Sequence, residues 1–127
     1  MARASAPARD FPAVAARLRS IIERNADGLL FTASPAGDVK LEKPPGGHPW
    51  DYVAAVRVGK SYVSYHLMPV YAMPELLTAI SPELRRRKQG KACFNFTRID
   101  EDLFSELAAL TATGIDRFRD FQPPERR

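Results

Sequence analysis

The sequence predicts an α+β fold: an antiparallel sheet of about five strands with N- and C-terminal helices packed on one face. Three observations carry this expectation. Apolar residues recur at helical spacing near both ends, in "FPAVAARLRSII" and "LFSELAAL". Between them, short runs alternate apolar and polar residues and are bounded by glycine and proline. The resulting order is helix, four strands in two hairpins, short helices, strand, helix, an order that places helices on one side of an antiparallel sheet.

The first helix is read over "DFPAVAARLRSIIERN". Phe11, Val14, Ala15, Leu18, Ile21 and Ile22 make its dry stripe, with arginines on the wet side. Asp10 caps it, and Pro12 falls in the first turn, where its missing N–H costs nothing. Asn25 to Gly28 stop it. "LLFTASPAGDVKLEK" then reads as two short strands around Pro35-Ala36-Gly37-Asp38, and "PPGGHPWD" as a loop. The segment from Tyr52 to Met68 alternates on both sides of Gly59-Lys60, which predicts a two-residue hairpin turn with glycine at positive φ.

Pro-Glu-Leu occurs twice, at Pro74 and Pro82, and starts two short helical segments. Ser81 caps the second and Gly90 closes it. "ACFNFT" is a strand with Ala92, Phe94 and Phe96 on one side. Asp100, Glu101 and Asp102 open the last helix at the positive end of its dipole. Leu103, Leu107 and Leu110 form its stripe, and Gly114 is expected to end it.

With 127 residues the chain suits one domain, placed at 10–121, with a flexible tail at 1–9 and a frayed end at 122–127. No apolar run approaches the roughly 18 residues of a membrane span, and "MARASAPARD" lacks the hydrophobic segment of a secretory signal. The single cysteine, Cys93, excludes an intramolecular disulfide and suits a reducing cytosol, so a cytoplasmic location is expected. The net charge of +4 is partly owed to Arg3, Arg9, Arg126 and Arg127, too weak a signal for a nucleic-acid partner.

Motifs for chemistry are few. "VGKS" lacks the earlier glycine of a phosphate loop: Ala54 stands there, inside a strand. His48, His66 and Cys93 show no paired ligand spacing, and the acids from Asp100 to Glu106 fit a solvated helix start, so neither metal nor cofactor is expected. Cys93 has no nucleophile elbow or oxyanion hole around it, so no catalytic residue is assigned. Arg85, Arg86 and Arg87 fan about 100° apart on a helix and cannot converge on one ligand. Strand alternation is more informative. It turns Ala54, Val56, Val58, Val63, Tyr65, Leu67, Phe94 and Phe96 toward the helices. The helix-free face then carries Arg57, Tyr62, Ser64, His66, Cys93, Asn95 and Thr97.

"GKSYVSYHLMPVY", "LLTAISPELRRRKQGKACFNF" and "DEDLFSELAALTATGI" together resemble the uncharacterised bacterial YdhG-like proteins, a domain family of unknown function. The resemblance runs from about Tyr52 to Ile115. It implies a small α+β sheet often compared with frataxin, an iron-delivery protein, and a helix–sheet–helix layering. Its motif positions are Lys60, Tyr62, His66, Met68, Pro69, Gln89, Gly90, Lys91, Cys93 and Asn95. Frataxin-like iron carriage relies on an acidic ridge along the first helix. Here that helix has Arg17, Arg19 and Arg24 against Glu23, which disfavours a metal carrier.

The functional expectation is a non-catalytic domain that binds a small anionic ligand on the open sheet face. Its ligand-binding residues are Lys60, Tyr62, His66, Lys91, Cys93 and Asn95: the lysines supply charge, and Tyr62, His66 and Asn95 directional hydrogen bonds. The alternative is an interaction module, with a homodimer as its simplest form.

Overall fold

The computed structural model describes residues 10–121; the tail expected at 1–9 and the frayed end expected at 122–127 lie outside them. The elements are α1 (Phe11–Glu23), β1 (Leu30–Ala33), β2 (Val39–Glu42), β3 (Tyr52–Val58), β4 (Val63–Leu67), α2 (Met68–Ala72), α3 (Pro82–Arg87), β5 (Lys88–Gln89), β6 (Cys93–Phe96) and α4 (Glu101–Phe118). Short 3-10 turns cover Pro49–Asp51 and Pro74–Ala79. The strands form one antiparallel sheet in the order β1-β2-β3-β4-β6-β5. The fold is α+β, as expected. Its strand count is six because Lys88 and Gln89, at the end of the basic run, pair with Phe94 and Cys93.

Local chemistry starts the helices where the sequence places them. Asp10 accepts a hydrogen bond from the Ala13 N–H at 3.1 Å, and Ser81 accepts one from the Leu84 N–H at 3.1 Å. Asp100 does the same for Leu103 at 3.1 Å. Each satisfies one of the amides a helix start leaves open, worth about 1 kcal/mol.

One core lies between the helices and one sheet face. Val14, Leu18 and Ile22 of α1 and Leu107 of α4 meet Val56, Tyr65, Leu67 and Phe94 of the sheet there. Phe96 meets Phe104 edge-on at 5.0 Å between centroids. A buried hydrogen bond crosses the layer: the hydroxyls of Tyr65 and Thr111, both 0% exposed, lie 2.7 Å apart. Because side chains alternate along a strand, fixing Tyr65 inward fixes Ser64 and His66 outward.

Three glycines work differently from the sequence expectation. The β3–β4 turn spans the four residues 59–62, not two, and Gly59 has no positive φ. Its N–H donates to the Tyr62 carbonyl at 2.9 Å, and a Cβ at Gly59 would lie 3.0 Å from that oxygen, so close approach is what favours glycine. Gly90 does adopt φ +71°, but in the β5–β6 turn rather than as the close of α3. Gly114 does not end α4, which runs on to Phe118. A Cβ there would sit 3.0 Å from the Pro69 Cβ, so glycine lets α4 close onto α2. Met68, expected to end the alternating segment that begins at Tyr52, is instead the first residue of α2.

Candidate functional site

The sheet face away from the helices carries a shallow trough of about 710 Å³. The rows of this face follow from the pairing register; Lys40, Ala55, Arg57 and His66 line the trough, and Cys93, Ser64 and Asn95 lie beyond its lining. Lys40 stands opposite Ala55, Ala55 opposite His66, and His66 opposite Cys93, so one row crosses β2, β3, β4 and β6. The next row runs Arg57, Ser64, Asn95. Four of the expected open-face residues therefore meet in pairs. Cys93 Sγ lies 3.0 Å from His66 Nδ1 and 3.4 Å from Nε2. Ser64 Oγ donates to Asn95 Oδ1 at 2.8 Å.

Sequence alternation missed Tyr52. Leu41 pairs with Ala54 but Glu42 with Tyr52, so Val53 is an extra residue in β3, a bulge. Strict alternation from Ala55 would turn Val53 outward and Tyr52 inward. The bulge reverses both: Val53 is 1% exposed in the core, and the Tyr52 ring lines the trough, 6.4 Å from the His66 ring. Nothing in the residue types of "DYVAAV" signals the extra residue. His48 reaches the trough from the loop ahead of β3, where its Nδ1 accepts the Trp50 N–H at 3.1 Å.

Lys60, Tyr62 and Lys91 are not brought to this cluster. Lys60 and Tyr62 are exposed in the β3–β4 turn, at the Val63 end of β4. Lys91 lies past the other end, where the Leu67 N–H bonds to the Ala92 carbonyl. The two lysines are separated by the whole of β4, about 13 Å at the usual strand rise, so they cannot grip one small anion. Lys91 Nζ instead lies 5.9 Å from the centre of the Tyr71 ring.

The site's charges are unevenly committed. Asp38 accepts the Val58 N–H at 2.9 Å. Glu42 accepts the Gly47 N–H at 3.1 Å and lies 3.8 Å from Lys40 Nζ. Arg57 is exposed, and among the described residues no carboxylate lies within ion-pairing distance of it. Burial pushes the His66 imidazole below its ordinary value of 6.5, and the Arg57 charge pushes the same way. Burial also raises the Cys93 thiol, with Lys88 opposing. The Tyr52 phenol is pushed up to about 12, by burial first and then by a Cys93 thiolate. Near neutral pH all three are uncharged, with Arg57 the uncommitted cation beside them.

Such a cluster can donate and accept hydrogen bonds. It is the reverse of the thiolate–imidazolium pair a cysteine nucleophile needs. Among the described residues no group of three or more His, Cys, Asp or Glu is disposed to hold a metal ion, and no helix is long and apolar enough to cross a membrane. Compared with protein-family models, curated proteins and solved structures, the chain matches none.

Proposed function

We propose that this chain is a cytosolic, YdhG-like, non-catalytic domain that binds a small anion, a carboxylate or phosphate, in the trough of its open sheet face. The observation that carries this reading is Arg57: an exposed guanidinium without a carboxylate partner among the described residues, next to three neutral hydrogen-bonding groups. A planar guanidinium meets a carboxylate or phosphate through two parallel N–H donors. His66 and Tyr52 add directional contacts, and Ser64 and Asn95 sit one row away. The binding set is therefore Arg57, His66 and Tyr52, with Cys93 and Asn95 behind them; Lys60, Tyr62 and Lys91 are no longer in it.

Charge balance also supports an anion. Asp38 and Glu42 line the trough, but backbone N–H donors already hold both, and Glu42 also faces Lys40. Anion binding favours protonated His66, so affinity rises as pH falls toward and below 6.5. A thermal-shift screen with phosphate, sulfate and acetate tests the reading. Concentration-dependent stabilisation that disappears in Arg57→Gln is expected; no stabilisation near 10 mM by any of the three, about ten times a millimolar Kd, would reject it.

Self-association is the second reading. It is favoured by the edge strand β1, whose residues Leu30 to Ala33 carry no charge or proline to discourage pairing, with Leu30 40% exposed. Light scattering that returns a strict monomer at high concentration removes it.

A further inference from the structure

A second concavity lies apart from the trough and is built from aromatic rings. Trp50, the chain's one tryptophan, lines a groove of about 540 Å³ together with Tyr71, Phe121, Lys88 and Lys91. The Trp50 ring is flanked by both other rings, with centroids 6.1 Å from Tyr71 and 5.5 Å from Phe121. Tyr71 is 45% exposed, so its ring is open to solvent at the groove. Val70 and Leu77 complete the apolar lining.

The charges in this groove have one sign. None of the described lining residues is acidic, and both charged ones are lysines. Lys91 Nζ lies 5.9 Å from the Tyr71 ring centre, and Lys88 Nζ donates to the Gly90 carbonyl. Neither has a carboxylate within ion-pairing distance among the described residues. Ring faces accept a planar group by stacking, and two ammonium groups at its edge select the sign of any charge it carries. The volume lies within the range of small-molecule sites.

We infer that this groove is a separate binding site for a small planar aromatic anion, its ring against Trp50 and Tyr71 and its negative group at Lys88 and Lys91. An aromatic cation of the same shape is repelled by the lysines, and an anion without a ring gains only exposed ion pairs. The site shares no lining residue with the trough and stands or falls separately from it.

The tryptophan makes the test direct, because it contributes a single indole N–H signal to a proton–nitrogen correlation spectrum. The full chain is titrated with 2-naphthoate, with 2-naphthylmethylammonium and with acetate. The indole signal is expected to move saturably with 2-naphthoate alone. Lys88→Gln combined with Lys91→Gln, the first half-buried in β5 and the second exposed, is expected to weaken that binding about tenfold, the loss of two ion pairs open to solvent on one side. Arg57→Gln is expected to leave it unchanged. The inference is overturned if the signal stays still up to about 10 mM 2-naphthoate, weaker than any useful small-molecule affinity. Equal response to the ammonium analogue, or unchanged affinity in a folded double variant, overturns it as well.

Discussion

Replacing Tyr65 by phenylalanine deletes one oxygen atom and tests how the sheet is locked to the helices. The Tyr65 hydroxyl lies 2.7 Å from that of Thr111 on α4, and neither residue is exposed. Tyr65→Phe loses this bond and leaves the Thr111 hydroxyl buried beside a ring edge, a cost of about 1–2 kcal/mol. Thr111→Val keeps the volume but orphans a phenol, which costs about 1–3 kcal/mol by the same reasoning. Removing both partners leaves nothing unsatisfied, so the double variant should be more stable than the sum of the singles predicts, with a coupling of about 1–2 kcal/mol. Urea unfolding of the four proteins measures this, and for a chain of this size each kcal/mol corresponds to about 4 °C in Tm. Additive single costs, or singles below about 0.5 kcal/mol, would refute the claim that this bond pins β4 to α4. The consequence reaches the site, because the inward position of Tyr65 sets the outward position of His66.

Three further predictions concern single positions. His66 titrates below 6.5 in the folded chain, so the unfolded chain binds its proton first; stability is full above pH 6.5, falls as pH drops through that value, and levels off below the folded pKa. Tm followed against pH should show this decline in the native sequence and a shallower one in His66→Asn. Cys93, its thiol raised by burial, should react with iodoacetamide at pH 7.5 several-fold more slowly than N-acetylcysteine, and a faster rate would mean the thiol is activated after all. Gly114→Val should destabilise by about 1–3 kcal/mol, since its Cβ alone would press on Pro69 at 3.0 Å, and an unfolding midpoint equal to the native one would show that α2 gives way.

Much of this architecture is legible in residue order, and particular positions show where legibility ends. α1, the β1–β2 hairpin, Ser81 as a cap and the inward set Tyr65, Phe94, Phe96 follow from periodicity and from short-range hydrogen bonding, which act within a few residues. That His66 and Cys93 share the open face is also readable, because both alternate with core residues; that β4 and β6 are neighbours, which pairs the two, depends on the strand order and is not. The bulge at Val53 was not: it depends on how β2 and β3 fit together, and it decides that Tyr52 joins the site. Gly114 looked like a stop signal because a helix interior disfavours glycine, whereas a contact with Pro69, distant in sequence, outweighs that cost. Lys60 and Lys91 were grouped by sequence motif, yet the antiparallel path of β4 places them at opposite ends of the strand.

The account turns on Arg57 drawing an anion to the face that His66 and Cys93 share. Titrating phosphate into the isotope-labelled chain while following the Arg57 side-chain N–H and the His66 ring measures this directly. The expected result is saturable movement of both signals, a higher His66 pKa in the bound form, and loss of both effects in Arg57→Gln. Unmoved signals at the trough, or unchanged binding in that variant, would contradict it.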